Sequence, residues 1–431
     1  MKEKIKMKRL LVIIISLISV STLIFPQNIN INGRFSSSVY SFQRFDTAQA
    51  SNNYLSAYQM LNLNLSRGNV ALHSYMNLEN DLATKIDGTP RMSFYNLFLE
   101  VRNLFDIADV KLGRQPLFNS VAGGIFDGIN LDLRKDAYKF TAYYGGNVPA
   151  YEKLEVTNDL ANNYVLGGKF TTVAVKNFQI DLSYINKNFK PEAYWATRLD
   201  ANLNPIQVLI DNNSSQYQFA SADVEYDLQD KLSINTRYDY DLNYNTTSKV
   251  ELDGTYNPTE KLNLDFYYNF RAPEIRYNSI FSVFDYGNTQ EVEVGAGYQL
   301  NKIFTLSGRY GDVVYQDANS QRVTVGINSN YGSFSYRKTF GYAGELDALT
   351  LYGAYSLLQG RVTPSLGLTY TKYKLSDSDA ANNLTAVLAG INVRPLDVVS
   401  VDLQAQYMDN KIYQNDFRLF LKLNYWFNTN F

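Results

Sequence analysis

The side chains with chemical reach in this chain are charges rather than nucleophiles: 42 acidic residues, 40 Lys and Arg, a single His, no Cys, and a net charge of -2. Nucleophilic hydrolysis needs a base held beside the attacking group. The lone imidazole, His73, shares its side of an alternating stretch with Tyr75, Asn77 and Glu79, while the neighbouring Ser74 points the other way. His73 therefore reads as a polar lining residue, and no enzyme is expected. Without Cys there is no disulfide, thiolate metal site, covalent haem or lipidated thiol, and without clustered His no metal or other cofactor is expected. The near-neutral balance gives no electrostatic footprint for nucleic acid.

The charges fall into a pattern once residues are sorted by alternation. Asp223, Glu225, Asp239, Glu251, Asp253, Asp265, Glu291 and Glu293 share the polar face of consecutive extended segments, with Arg237 and Lys249 as the cations among them. The next segments reverse the sign on that face, with Arg309, Arg322 and Arg337, and the last segment adds Arg418 and Lys422. An acidic arc thus precedes a basic arc. One reading is simply that this face must be polar. The other is that facing arcs of opposite sign set a transverse field across a narrow passage, orienting dipolar solutes while leaving little net ion preference.

The elements that must hold these charges are strands. In the final stretch Phe417, Leu419, Leu421, Leu423, Tyr425 and Phe427 are apolar, whereas Arg418, Lys422, Asn424 and Asn428 occupy the other side. Such a segment is too long for an ordinary soluble strand and fits the roughly 9–11 residues of a tilted membrane-crossing strand. The same alternation recurs down the chain, as in Leu262, Leu264, Phe266, Tyr268 and Phe270 against Asn263, Asp265, Tyr267 and Asn269. With 35 Tyr and 25 Phe the chain is rich in the aromatic residues that girdle a barrel at both lipid–water boundaries. Tight turns are expected near 66–69, 103–108, 135–137, 175–177, 227–231, 257–261, 299–303, 331–332, 359–363 and 394–397. Looser Asn-, Asp- and Ser-rich loops are expected at 47–53, 146–163, 271–288 and 376–382. The fold expected is all-β: a transmembrane antiparallel up-and-down β-barrel of about 22 strands, within a range of about 18–24. Residues 194–210 are either one more hairpin or the arms of a loop.

One stretch breaks the alternation. Lys111 to Pro116 and Asn119 to Gly128 carry Gly113, Pro116 and Gly123-Gly124, which end a ladder and allow tight backbone, so a compact loop narrowing the lumen is expected there. Arg114, Gln115 and Asp127 are its candidate lining residues. Arg114 and Asp127 either touch the solute or pair with each other to brace the loop. The Gly113-Arg114-Gln115 and Phe126-Asp127-Gly128 triplets resemble the "GRQ … FDG" pair of alginate-export-like and related substrate-specific outer-membrane porins. That resemblance covers about 25 residues strongly, and implies a monomeric barrel conducting a hydrophilic solute.

Lys2, Lys4, Lys6, Lys8 and Arg9 before the apolar run Leu10 to Phe25 have the layout of a secretory signal peptide, here 1–26, leaving 27–431 as a single barrel in the outer membrane. The expected partners are outer-membrane lipid, a small hydrophilic solute, and the barrel-assembly machinery, which would read the closing strand that ends in Phe431. Two functions remain from the sequence. The first is a porin-like channel for passive or selective diffusion of small hydrophilic solutes, favoured by the glycine-rich 113–128 stretch. The second is a structural barrel sheathing a periplasmic or surface partner, as in electron conduits or exporters.

Overall fold

The computed structural model describes residues 29–431 except 48–49, 85–88, 118–121, 149–153, 158, 191–192, 200, 212–214, 230, 284–286, 316–317, 342–344, 375–377 and 412–414. The signal-peptide expectation for 1–26 lies outside the described residues. Extended segments follow one another as β1 (Asn30–Thr47), β2 (Ala50–Arg67), β3 (Val70–Asp81), β4 (Arg91–Leu104), β5 (Ala108–Leu117), β6 (Gly124–Lys135), β7 (Tyr138–Val148), β8 (Tyr164–Thr172) and β9 (Phe178–Lys187). A ribbon of β10 (Tyr194–Leu199) and β11 (Pro205–Ile210) follows. The chain then continues as β12 (Tyr217–Leu228), β13 (Leu232–Asp241), β14 (Thr246–Thr259), β15 (Leu262–Arg271), β16 (Thr289–Gln299), β17 (Phe304–Val314) and β18 (Asn319–Ser329). It ends with β19 (Gly332–Gly341), β20 (Glu345–Ala354), β21 (Val362–Tyr373), β22 (Asn382–Leu396), β23 (Val399–Asp409) and β24 (Asp416–Asn430).

Every segment except β10 and β11 belongs to one 22-stranded sheet of antiparallel neighbours, with β9 pairing to β12 across the ribbon. β1 pairs with β24 from Asn30↔Asn430 to Ser41↔Leu419, so the sheet closes on itself and has no free edge. Beyond the last strand residue, Ile29 and Phe431 exchange both backbone hydrogen bonds at 2.9 and 3.0 Å. The wall strands run from 9 to 18 residues, long enough to cross a bilayer when tilted. A barrel satisfies all its backbone donors and acceptors laterally, which is the condition for a sheet to sit in hydrocarbon. No helix among the described residues is long and apolar enough to cross a membrane.

All ten expected tight turns join strands at one rim. Several use left-handed backbone that favours glycine or asparagine, among them Gly68 at φ 54° and Asn177 at φ 66°. At the other rim the longest connections are 188–216, 272–288 and 149–163. Of the expected 47–53 loop, residues 47 and 50–53 are instead strand, because β1 and β2 stay paired as far as Thr47↔Ala50. Residues 194–210 form a two-stranded ribbon, Tyr194↔Ile210 to Leu199↔Pro205, outside the wall.

Alternation sorts the two faces as expected. Leu264, Phe266, Leu419, Leu421, Leu423 and Tyr425 are exposed on the outside. Opposite Gly33, which has no side chain, the Phe427 ring fills the gap: a Cβ there would sit 2.8 Å from it. Among the described residues the largest fully buried apolar side chains gather in one place. Leu117, Phe126, Tyr143, Val165, Ile185 and Phe219 form a single cluster on β5, β6, β7, β8, β9 and β12.

Candidate functional site

The stretch expected to be a loop is strand on both sides of its tip. β5 and β6 pair without interruption from Ala108↔Leu133 to Leu117↔Gly124, so Gly113 and Pro116 lie within the ladder and Gly123-Gly124 stand at its end. Gly113 adopts φ 129° and lies so close to β4 that a Cβ would come within 2.4 Å of the Leu97 carbonyl oxygen. Arg114 and Asp127 are direct cross-strand neighbours. Arg114 donates from Nε to Asp127 Oδ1 at 2.7 Å and from Nη2 to Oδ2 at 2.9 Å, a bidentate fork. The same Nη2 donates to the Glu155 carbonyl at 3.0 Å, and the Thr157 amide donates to Asp127 Oδ2 at 3.1 Å. Gly146 leaves room for this strap, since a Cβ there would sit 2.4 Å from Thr157 Cβ. The pair therefore braces the hairpin and buckles residues 155–157 to it, with side-chain exposures of only 6% and 5%. Gln115 lies on the opposite face of β5 and donates to the Gly128 carbonyl at 3.1 Å.

On that opposite face, Leu117 and Phe126 join the apolar cluster with residues of β8, β9 and β12. β6 is three strands from β9 along the wall, so the tip of the β5–β6 hairpin leans across the inner faces of β7 and β8 to bury Phe126 completely. Lys187, at the end of β9, meets that tip and donates from Nζ to the Gly123 carbonyl at 2.7 Å and the Ala122 carbonyl at 3.2 Å. The neighbouring Asn188 gathers two further connections. Its Nδ2 donates to the Asn162 carbonyl at 2.8 Å, and its Oδ1 accepts from Asn278 Nδ2 at 3.3 Å. Asn278 also donates to the Phe189 carbonyl at 3.2 Å, and Tyr277 donates its amide to the Gln216 carbonyl at 3.1 Å. The 272–288 connection thus crosses the tops of β14, β13 and β12. Segments from three connections meet at one point of this rim.

Farther down, the wall is a lattice of ion pairs. Arg309 lies 3.1 Å from Glu293 and 3.4 Å from Asp265, and Arg322 lies 2.9 Å from Glu293 and also contacts Glu291. Arg337 pairs with Glu345 at 3.4 Å, and Arg418 with the fully buried Asp416 at 2.7 Å. Arg237 binds Asp239 at 2.8 Å and lies 3.8 Å from Asp223, and Lys249 pairs with Glu251. Glu225, Asp253 and Lys422 form no ion pair with the described residues. Arg309, Arg322 and Arg337 do not face the acids across the lumen: β16 and β17 are adjacent strands, so the last acids of one arc interlock with the first cations of the next. For these three the expectation of facing arcs is corrected by this register, since fields at such short range end on their counter-charges. Arg418 and Lys422 on β24 lie eleven strands from β13 in the ring, on the far side of the lumen from the acids.

Further members were missed, among them six on β4–β9. Lys111 lies between Glu100 at 3.9 Å and Asp132 at 3.6 Å, Lys139 lies 3.4 Å from Asp132, and Lys169 lies 3.0 Å from Asp181. The alternation that picked out residues 223–293 would have found these too, had it been carried back through β4–β9. His73 stacks on Phe98 with ring centroids 4.7 Å apart and lies 3.0 Å from Glu100, so it joins the same lattice. Among the described residues no cluster of His, Asp and Glu could hold a metal ion.

No protein-family model matches the chain, and no curated protein matches it in sequence. Its fold is similar to that of solved porins. OccAB3 of Acinetobacter baumannii covers 93% of this chain and 99% of its own at 9% identity and a TM-score of 0.44. A BenF-like porin from Pseudomonas fluorescens covers the same shares at 10% identity and 0.44. OccK2 (OpdF) of Pseudomonas aeruginosa, solved in complex with glucuronate, covers 92% and 98% at 8% identity and 0.44.

Proposed function

We propose that the chain is an outer-membrane channel for selective diffusion of small hydrophilic solutes. The observation that carries this is the inversion of its two faces. A closed barrel with an exposed apolar exterior holds Glu100, Lys111, Asp132, Lys169, Asp181, Arg237, Glu293, Arg309 and Arg322 on its interior, where a soluble protein would place its core. Such an interior is wet, and the interlocked charges favour polar solutes while giving little net preference for either ion sign. The leaning β5–β6 hairpin and the connections meeting at Asn188 occupy part of the mouth with the chain's own residues. That supports a channel over a sheath, which needs its lumen free for a partner.

In this reading residues 1–26 are the export signal and 27–431 the mature barrel, and the assembly machinery engages the closing strand through Phe431. Arg114, Gln115 and Asp127 act on the solute only indirectly, by fixing the hairpin that narrows the mouth. No catalytic role is assigned, because His73 is engaged by Phe98 and Glu100. Planar-bilayer recording of the purified protein tests the proposal. A channel gives reproducible unitary steps of moderate size, whereas very large conductance or none points to a sheath whose partner is missing.

A further inference from the structure

We propose that Lys187 is the residue that sets the aperture of the channel, by holding the β5–β6 hairpin tip across the inner wall. The inference rests on the channel reading above and goes beyond it by naming the determinant of solute size. Three observations converge. First, the ammonium is satisfied by two main-chain carbonyls, those of Ala122 and Gly123, and forms no ion pair with the described residues. A charged donor is thus committed to the position of a backbone segment rather than to a side chain that could follow it elsewhere.

Second, the tip is built to receive it. A Cβ on Gly124 would stand 3.0 Å from Lys187 Nζ, and Gly124 has φ 149°, where an L side chain is strained. Third, the tip is tied at no other described point by a charge. Phe126 and Leu117 hold the lower part of the hairpin by apolar burial, and Arg114 with Asp127 holds its far face to 155–157. Above Phe126 Ala122 packs against the apolar cluster, and the polar tie to β9 is Lys187. Releasing that contact lets the last residues of the hairpin rise toward the line of β6, while the barrel and the apolar cluster below stay intact.

The test uses the full-length protein in planar bilayers, and in liposomes swollen with glucose, sucrose, raffinose and stachyose in turn. Lys187→Met keeps the aliphatic length and removes the donor. The expected result is a higher unitary conductance and a swelling cutoff displaced toward larger sugars, with heat-resistant migration in detergent unchanged. Lys187→Arg, which can still donate to both carbonyls, should restore the parental cutoff. Gly124→Ala, which crowds the ammonium from the other side, should shift the cutoff in the same direction as Lys187→Met. If the parent conducts and both disruptive variants keep its conductance and cutoff, Lys187 does not set the aperture. If the parent itself passes neither ions nor sugars, it is the channel reading that fails.

Discussion

Two parts of the wall solve the same problem in opposite ways. From β5 to β12 the inner face carries buried apolar side chains near the rim, beyond ion pairs such as Lys169 with Asp181. From β15 to β19 the inner face carries partly exposed ion pairs and adds no residue to that apolar cluster. In the first region Phe126 and Phe219 are withdrawn from water almost entirely, so that part of the lumen wall behaves like the core of a soluble protein. In the second, Arg309 is about half exposed and its carboxylate partners are in reach of solvent, so the pairs organise charge without contributing much stability. A barrel this wide has no central core, and its apolar burial is confined to one arc while its ion pairs run through both.

The largest effect should come from the apolar arc. Phe126→Ala should cost about 3–5 kcal/mol, as large-to-small changes at fully buried aromatics do. Arg322→Met in the ion-paired arc should cost no more than about 1 kcal/mol. Denaturant unfolding in detergent micelles measures both, and equal losses would erase the distinction between the two regions. Next comes the face that both regions share with lipid. Leu421→Arg should cost on the order of 2–4 kcal/mol near the midplane. Asn263→Arg, on the inner face, should leave heat-resistant folding intact, and a comparable loss there would mean the faces are misassigned.

A third expectation sharpens the electrical half of the comparison. Neutralising Glu251, Asp253 and Glu293 together should shift permeability toward anions, because Glu293 alone partners both Arg309 and Arg322. Neutralising Arg309, Arg322 and Arg337 should shift it toward cations. Reversal potentials under a salt gradient read both, and shifts in the same direction would remove the ion-pair lattice from the conduction path. The smallest effect on the finished barrel should follow deletion of Phe431. Its ring is exposed and its backbone adds only the pair with Ile29, so loss should show as periplasmic accumulation rather than as a weaker barrel. Normal outer-membrane yield would argue against a role for that residue in assembly.

The barrel was legible in the sequence because period-two alternation is a local property, repeated on every strand. Turns such as Gly68-Asn69 and Tyr256 to Leu262 announce themselves through residues that tolerate left-handed backbone or break a ladder. The strand count followed from those turns. The site was less legible, for physical reasons that differ by residue. Gly113 and Gly123-Gly124 read as loop because glycine signals both freedom and close approach, and only the neighbouring Leu97 carbonyl shows that the second applied at Gly113. Alternation placed the charges on one face of their strands but could not name their partners. Arg309 meets Glu293 because β16 and β17 pair in one particular register, which no single strand encodes. Lys187 carried no signal at all, since its partners are main-chain carbonyls with no residue identity to read.

The seam between the first and last strands has a consequence for how the molecule comes into being. Asn30 Nδ2 donates to Asn428 Oδ1 at 3.0 Å and to Asn430 Oδ1 at 2.7 Å, contacts between residues 398 and 400 apart in sequence. Every other wall pairing joins strands consecutive along the chain, apart from β9 with β12 across the ribbon, so each can form by local zippering. The seam alone must gather the two ends of a nearly complete sheet, and the loop-closure entropy of that step falls at the end of folding. Ile29 and Phe431 consequently sit side by side at the turn-bearing rim. A circular permutant that joins them with a short linker and opens the chain at 410–415 would turn the present seam into an ordinary hairpin. The most non-local step would then move to β23 and β24, making the choice of seam a kinetic variable that leaves the lumen unchanged.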